Sequence, residues 1–286
     1  MENIAYLSPE RIHNFIQSAL REDVGHGDHS SLGSIPKGRK GQAQLIIKED
    51  GVIAGIQLAE LIFKQYDPSL VVESLIKDGD KVSAGQIGLR VKGSAASILT
   101  TERLVLNCMQ RMSGIATRTY FLSQLIAHTK AKLMDTRKTT PNFRLMEKWA
   151  VVLGGGINHR FALYDMVMLK DNHIDFAGGI QNAILSTKSY LKANNLPLKI
   201  EVETRNLDEV KEVLETGGID YIMLDNMDYA TMKEAVRLVD GRYPLEASGG
   251  ITEDTLKDVA ECGVDFISVG ALTHQVKSMD ISLKAY

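Results

Sequence analysis

The sequence predicts an α/β protein whose second half folds into a parallel sheet that is closed, or nearly closed, into a barrel. Short apolar runs alternate there with segments of helical spacing, which is typical of parallel strands connected by helices. Each run ends on charged residues or glycines, the positions at which such barrels place their chemistry. The six runs are AKLMDTRK (131–138), YDMVMLKD (164–171), LKIEVET (198–204), YIMLDN (221–226), YPLEASGG (243–250) and FISVGA (266–271).

The first half has a different pattern. A helix is predicted to start at Ser8-Pro9-Glu10, with the serine as its cap, and GHGD (25–28) is interpreted as a turn and cap. Residues 42–95 alternate apolar and polar positions over short runs, which predicts antiparallel strands. A helical stretch follows from Thr100 to about Thr129, and Gly114 is expected to divide it into two helices.

No linker separates the two halves, so we expect two tightly packed domains. Residues 1–112 are predicted to form an N-terminal α+β domain, and residues 113–272 the α/β barrel. The C-terminal tail, 273–286, is expected to pack with the first domain. A chain of 286 residues is long enough for both cores.

Composition restricts the function classes. The formal net charge of −3 and pI near 6.2 argue against nucleic-acid or membrane-surface binding through overall charge. There is no run of about 18 apolar residues and no basic segment followed by an apolar core at the N-terminus, so we predict a cytoplasmic protein. Cys108 and Cys262 are far apart and form no CxxC pair, which fits two packed thiols in a reducing compartment.

Glycines follow the last two predicted strands. Ser248, Gly249 and Gly250 end one run, and Gly270 ends the next. Barrels commonly bind a phosphate at this place through backbone N–H groups. A plain turn would explain either segment alone, but both on successive strands favour a phosphate site. GGG at 154–156 lacks the GxGxxG spacing and follows a helical run, so a dinucleotide-binding fold is not expected.

Two carboxylates end neighbouring predicted strands. Glu203 and Asp225 would repel each other unless a cation lies between them or one is protonated. Open carboxylate pairs suit Mg²⁺, which takes its remaining ligands from water and substrate phosphates. The alternative is that each acid pairs with a nearby lysine. Glu201 points to the same side as Glu203, because side chains alternate along a strand, and is expected inside the barrel.

Cations cluster between residues 137 and 170. Five groups converging on one barrel mouth would repel one another unless a polyanion occupies the site, and arginine suits carboxylates because it binds them through two parallel hydrogen bonds. Arg103 and Arg111 lie eight residues apart and share a helix face. The residues together predict a phosphate, a metal-bound polyphosphate and a further ligand that carries carboxylates. The clustered cations are Arg137, Lys138, His159, Arg160 and Lys170.

These segments resemble the quinolinate phosphoribosyltransferase family. The block MDTRKTTPNFRLMEKWAVVLGGGINHRFALYDMVMLKDNHI (134–174) is the most specific match, and the resemblance extends over nearly the whole chain. It implies a C-terminal, incomplete TIM-like barrel of about seven strands, an N-terminal α+β open-sandwich domain, and a homodimer or higher homo-oligomer. The other matching segments are GHGDHS (25–30), TERLVLN (101–107), EVE (201–203), LDN (224–226), ASGGI (247–251) and VGALTH (269–274).

The resemblance also implies roles for particular residues. Substrate binding falls to Arg137, Arg160 and Lys170, which would hold the quinolinate carboxylates, with Lys138 and His159 beside them and Arg103 supplied by the partner subunit. Glu203 and Asp225 would bind Mg²⁺ together with phosphoribosyl pyrophosphate (PRPP). The 5-phosphate would lie against Ser248, Gly249, Gly250 and Gly270, with His274 nearby. The catalytic set is Lys138, Lys170, Glu203 and Asp225.

The implied reaction is phosphoribosyl transfer from PRPP to quinolinate with decarboxylation. Its products are nicotinate mononucleotide, pyrophosphate and CO₂, and it belongs to de novo NAD biosynthesis. Three other activities remain open from the sequence: an aldolase with a Schiff base on Lys170, a phosphoribosyltransferase for a monocarboxylate, and a phosphosugar sensor without turnover. Neither a nucleic acid nor a membrane is expected as a partner.

Overall fold

The structure is a computed structural model that describes residue 4 and residues 6–286. It contains two compact units. The first comprises the described residues up to Tyr120 together with 139–155 and 271–286, and the second comprises 121–138 and 156–270. The domain boundaries that the sequence predicts, at residues 112 and 272, stay a prediction. Among the described residues, no helix is both long enough and apolar enough to cross a bilayer.

The first unit is built on an antiparallel sheet. Its strands are β1 (Lys40–Ile47), β2 (Gly51–Val52), β3 (Val71–Ser74), β4 (Lys81–Val82) and β5 (Ile87–Ser94), and the last strand of the chain, β12 (Ile281–Ala285), joins them. The main sheet has the order β12-β1-β5-β3, and β2 pairs with β4. Leu45 lies opposite both Leu89 and Leu283, and all three are buried. The predicted antiparallel strands are therefore confirmed.

Six helices belong wholly or mainly to this unit. The predicted first helix and its serine cap are confirmed, because Ser8 accepts a hydrogen bond from the Arg11 N–H at 3.2 Å. The GHGD turn is also confirmed as a cap, since Asp28 accepts from the Ser31 N–H at 3.0 Å. The helices are α1 (Pro9–Val24), α2 (His29–Ser34), α3 (Ile56–Tyr66), α4 (Ala95–Leu125), α5 (Arg144–Leu153) and α11 (Ala271–His274).

Helix α3 was missed in the sequence, where its residues fell in a predicted strand region. The helix has no local cap, because it begins after Gly55, a left-handed residue without a side chain. Its first N–H groups are bound instead by Asp78, whose carboxylate accepts from Gly55 at 2.6 Å, Ile56 at 2.8 Å and Gln57 at 3.0 Å. Because Asp78 lies outside the helix and far along the chain, no local sequence pattern predicts this cap.

The expected break at Gly114 was wrong, because α4 is one continuous helix from Ala95 to Leu125. Glycine is needed there for close packing: a Cβ at position 114 would overlap the carbonyl oxygen of Lys277. Glycine in a helix interior is unfavourable by about 1 kcal/mol, and the approach of the C-terminal segment offsets this cost. Cys108, on the same helix, is buried, and burial raises the pKa of its thiol to about 12, which confirms a packed, unreactive residue.

The second unit is a parallel sheet wrapped by helices. All six predicted strands are confirmed, in the order β6-β11-β10-β9-β8-β7, and every pairing between them is parallel. A parallel bridge between Met134 and Ile157 extends the sheet beyond β6. The strands are β6 (Lys132–Met134), β7 (Val167–Leu169), β8 (Ile200–Thr204), β9 (Tyr221–Asp225), β10 (Leu245–Ser248) and β11 (Phe266–Ser268), and the helices are α6 (Asp171–Ala177), α7 (Ile180–Ala193), α8 (Leu207–Thr216), α9 (Tyr229–Val239) and α10 (Glu253–Ala260).

This topology confirms the predicted fold class, an incomplete α/β barrel with a small α+β sheet unit. Six strands and one bridging residue form the barrel wall, and among the described residues no ladder joins β6 to β7. Ser248 is in register with Asp225, so the carboxyl ends of β10 and β9 lie at the same edge. The edge at which the six strands end is called the catalytic edge below.

Candidate active site

The predicted carboxylate pair lies at the catalytic edge. Glu203 is the penultimate residue of β8, and Asp225 is the last residue of the neighbouring strand β9. Burial raises the pKa of Glu203, and the charge of Asp225 raises it further, whereas the nearby Lys170 opposes the shift. The Glu203 carboxylate is buried beside a like charge, and a divalent cation would relieve the repulsion.

Lys170 follows β7 and directly precedes α6. Its Nζ lies 4.0 Å from Glu203 Oε2, and half of its side chain is exposed. Glu203 also accepts a hydrogen bond from the Asp171 N–H. The ends of β7 and β8 are thereby joined, and the ammonium group stands beside the carboxylate pair with one side open to solvent.

Two guanidinium groups lie near each other at this edge. Burial lowers the pKa of Arg160, and the positive charge of the nearby Arg137 lowers it further. Arg160 is oriented by a hydrogen bond from Nη1 to the Met166 carbonyl, at 3.1 Å. Lys138 follows Arg137 directly and is exposed. Like charges held together in this way favour binding of an anion between them.

His159 lies beneath these cations in the barrel interior. Its Nε2 is 2.8 Å from Glu201 and 3.4 Å from Glu246, and all three residues are buried. Its Nδ1 is 2.7 Å from the Arg160 N–H. Glu201 therefore lies inside the barrel as expected, and both ring nitrogens of His159 have protein partners. Contact between His159 and substrate stays a prediction.

Glu246 was not identified from the sequence, although a signal was present. A carboxylate in the middle of the apolar run YPLEASGG is unusual in a strand buried on both faces. Glu201 is likewise a buried carboxylate within a strand, β8, and β9 lies between β8 and β10. A second acidic residue inside a central strand therefore indicated an interior charge cluster.

In the interior cluster of His159, Glu201 and Glu246, the fold raises the pKa values of two members, His159 and Glu201. Burial alone would lower the pKa of His159, but hydrogen bonds to the two carboxylates and their charges raise it to about 9. Burial and the charge of Glu246 raise the pKa of Glu201. Both shifts mean that the buried cluster retains its protons to a higher pH than the same groups do in water.

The predicted phosphate segment has the required backbone form. Gly249 has φ +95° and Gly250 has φ +59°, both in the left-handed region that glycine tolerates. These glycines follow Ser248 at the end of β10, and Gly270 lies two residues beyond the end of β11. Because glycine has no side chain, bare backbone lies at the same edge as the carboxylates and cations.

Three sequence-predicted cations belong to the first unit. Arg103, on α4, and His274, at the end of α11, are exposed. Arg111 has a structural role: its Nε and Nη2 donate to Glu147 Oε1 at 3.0 and 2.9 Å, and its Nη groups also donate to the carbonyls of Thr273 and Val276. Glu147 is fully buried. Sharing a helix face with Arg103 therefore does not give Arg111 a similar environment.

Fold and site together fit one class: an α/β-barrel enzyme whose site lies at the carboxyl edge of its strands. Residues 28–113 match the N-terminal domain, and residues 115–284 the C-terminal domain, of the quinolinate phosphoribosyl transferase family. The chain belongs to this family, and its members are phosphoribosyltransferases.

Relatives and solved structures agree with this assignment. The chain is 50% identical over 284 residues to the chloroplastic nicotinate-nucleotide pyrophosphorylase [carboxylating] of Arabidopsis thaliana, covering 94% of this chain and 81% of the relative. It is 49% identical over 284 residues to the mitochondrial quinolinate phosphoribosyltransferase [decarboxylating] 2 of Nicotiana glauca, covering 94% and 80%. The crystal structure of NadC from Streptococcus pyogenes has a TM-score of 0.91 and 39% identity, covering 98% of both chains.

The names of the plant relatives correct the prediction of a cytoplasmic protein. Proteins that are about half identical to this chain are named as chloroplastic or mitochondrial. The prediction depended on composition, net charge and the lack of an evident leader. Those features do not determine the compartment, because closely similar chains belong to different ones.

The interior cluster predicts how stability depends on pH. The pKa of His159 is raised in the folded state, so its contribution is complete below the ordinary value near 6.5 and is lost as the pH rises through about 9. Urea unfolding followed by circular dichroism should show a decrease of roughly 1–3 kcal/mol across this range.

Glu246→Gln should move this loss to lower pH, because one of the charges that raise the His159 pKa is removed. Glu215→Gln makes the same chemical change at an exposed position and should leave the profile unaltered. If the stability of the wild-type protein instead increases from pH 7 to 9, the raised pKa of His159 is contradicted.

Proposed function

We propose that this protein joins quinolinate to the ribose 5-phosphate moiety of PRPP and releases CO₂ and pyrophosphate, which gives nicotinate mononucleotide for de novo NAD biosynthesis. The observation that carries the proposal is the closeness of Arg137 and Arg160: burial lowers the pKa of the Arg160 guanidinium, and the charge of Arg137 lowers it further. A dicarboxylate would satisfy both groups with charge-assisted hydrogen bonds, each contributing about 1.5–3 kcal/mol.

The acceptor side of the site would bind quinolinate through its two carboxylates. Arg137, Arg160 and Lys170 are the proposed ligands, with Lys138 and His159 beside them. Because the ring nitrogens of His159 are bound by Glu201, Glu246 and the Arg160 N–H, this histidine would act mainly by fixing the backbone of Arg160. The floor of the site is then rigid before the substrate arrives.

The donor side would hold PRPP with Mg²⁺. Glu203 and Asp225 fit a hard cation, since they supply carboxylate oxygens and the pKa of Glu203 is raised by burial and by its neighbour. When bound, the ion would neutralise charge on the departing pyrophosphate. Ser248, Gly249, Gly250 and Gly270 would hold the 5-phosphate on backbone N–H groups, with His274 as a further proposed contact.

Transfer would proceed by attack of the pyridine nitrogen on the anomeric carbon, as the bond from that carbon to the pyrophosphate oxygen breaks. Lys138 would stabilise the leaving group electrostatically. The ring nitrogen becomes cationic, so the ring can accept the electron pair left when the adjacent carboxylate departs as CO₂, and a solvent proton then completes the C–H bond. Holding the 3-carboxylate tightly and the departing 2-carboxylate loosely would favour this step.

Lys170 is the residue on which an aldolase would depend, and its surroundings argue against one. A Schiff-base lysine needs a lowered pKa, which an apolar or cationic environment produces. Here the ammonium lies 4.0 Å from the Glu203 carboxylate and is half exposed. A half-exposed lysine beside a carboxylate lacks the apolar or cationic surroundings of a Schiff-base lysine, which favours a binding role.

The function is tested directly by incubating the protein with quinolinate, PRPP and Mg²⁺ while following CO₂ and pyrophosphate. Both products should appear in equal amounts, and chelation of Mg²⁺ should abolish them. Release of pyrophosphate without CO₂ would show a different acceptor chemistry. Absence of turnover, with both ligands bound, would show a sensor.

Arg137→Ala should lower the affinity for quinolinate at least about a hundredfold, because two charge-assisted hydrogen bonds are lost. PRPP binding in the presence of Mg²⁺ should change little. Titration calorimetry with each ligand measures both effects. Arg237→Ala removes the same charge from an exposed ion pair on α9 and is the control. Equal loss of both ligands would refute the assignment of Arg137 to the acceptor side.

We further propose that the protein is a homodimer or higher homo-oligomer in which Arg103 completes the partner's site. Arg103 is exposed on α4, so its guanidinium can reach a partner subunit. Arg103→Ala and Lys170→Ala should each be inactive alone. Mixed after reversible dissociation, they should regain about a quarter of wild-type activity, since half of the dimers then contain one intact site. No recovery in a mixture shown to exchange subunits would place Arg103 in its own subunit's site.

A further inference from the structure

Asn226 connects the carboxylate pair to the predicted phosphate segment, and no role beyond its place in the LDN motif was predicted for it from the sequence. It follows Asp225 at the end of β9, and its side chain is exposed. Its Nδ2 donates to Asp225 Oδ2 at 2.7 Å. Its backbone N–H donates to the Ser248 carbonyl at 2.9 Å. One residue therefore contacts both the proposed metal ligand and the strand end that carries the glycines.

Asn226 also occupies the space above Gly249. A Cβ at position 249 would overlap the Asn226 side chain, with Oδ1 the nearest atom, and would lie 2.8 Å from the Asn226 backbone nitrogen. The asparagine amide therefore presents its donor to Asp225 and its oxygen to the glycine segment. This orientation follows from charge, since a carboxylate requires a donor opposite it.

The backbone of Asn226 is left-handed, with φ +52°. Asn195 and Asp240 are also left-handed, but they follow the ends of α7 and α9, where this conformation is ordinary. Asn226 instead follows a strand. The conformation is unfavourable by about 1 kcal/mol for a residue other than glycine, and such strain recurs at functional sites.

Helix capping does not explain Asn226. The next helix, α9, is capped by Asp228, which accepts from the Thr231 N–H at 2.8 Å. A hydrogen bond between exposed side chains also contributes little to folding stability, because water competes for both groups. Glycine would adopt the same backbone without strain. What asparagine adds at this position is the amide directed at Asp225.

We propose that Asn226 is a positioning residue that sets the orientation of the Asp225 carboxylate relative to the Ser248–Gly250 backbone. The distance between the metal and the 5-phosphate group of one PRPP molecule is thereby fixed before binding. The inference deepens the proposed function, because it assumes that Asp225 and the glycine segment bind the same donor. Asn226 itself is not required to touch the substrate.

The test compares Asn226→Gly with Asn195→Gly. Both changes remove an exposed asparagine side chain at φ +52°, and neither strains the backbone, so stability should be unchanged in both. PRPP affinity at saturating Mg²⁺, measured by calorimetry, should fall about five- to tenfold in Asn226→Gly and remain within twofold in Asn195→Gly. Quinolinate affinity should not change in either. Wild-type PRPP affinity in Asn226→Gly would overturn the proposal.

Asn226→Asp separates the hydrogen bond from simple space filling. It preserves the shape of the side chain but places a carboxylate oxygen against Asp225, so PRPP affinity should fall at least as far as in Asn226→Gly. Wild-type affinity in this variant would show that the side chain only fills space, which would also overturn the proposal.

Mn²⁺ binding without PRPP, followed by electron paramagnetic resonance, distinguishes this inference from the proposed function. If the wild-type protein binds no PRPP, the proposed function fails, and the Mn²⁺ titration alone decides the role of Asn226. Mn²⁺ affinity should be about three- to tenfold lower in Asn226→Gly than in Asn195→Gly. Equal affinities would refute an orienting role at Asp225.

Discussion

The parallel register of the six barrel strands is the constraint on which the rest of the structure depends. Parallel strands bring all of their carboxyl ends to one edge, whatever residues stand there. In this chain the edge receives two guanidinium groups, an ammonium group and two carboxylates, and the pKa values of Arg160 and Glu203 are shifted by burial and by their like-charged neighbours. Ligands of opposite charge would relieve the repulsion within this arrangement.

The barrel interior supports that edge with a second set of charges. His159, Glu201 and Glu246 are buried, and the pKa values of His159 and Glu201 are both raised. Their hydrogen bonds fix the start of the segment that carries Arg160. Charged residues inside a barrel are costly to bury, but here they hold the backbone of Arg160 in place.

Two predictions failed, and the role of Arg111 was not predicted, for the same physical reason: a distant part of the chain decided the local structure. Helix α3 depends on Asp78, which caps it from outside the helix. Gly114 does not break α4, because the glycine admits the Lys277 carbonyl. Arg111 is held by Glu147 and by carbonyls of the C-terminal segment. No window around any of these residues contains the partner that determines its role.

The sequence by itself determined the strand positions, the fold class, the family and the chemical character of the catalytic edge. Those properties follow from local periodicity and from which residues end each strand, and both can be seen along the chain. Tertiary structure alone decided that Glu246 joins His159 and Glu201 in the interior and that Asn226 connects Asp225 to the glycine segment. Such pairings depend on the order of strands in the sheet, because β9 and β10 become neighbours only through the packing of α9, the helix between them.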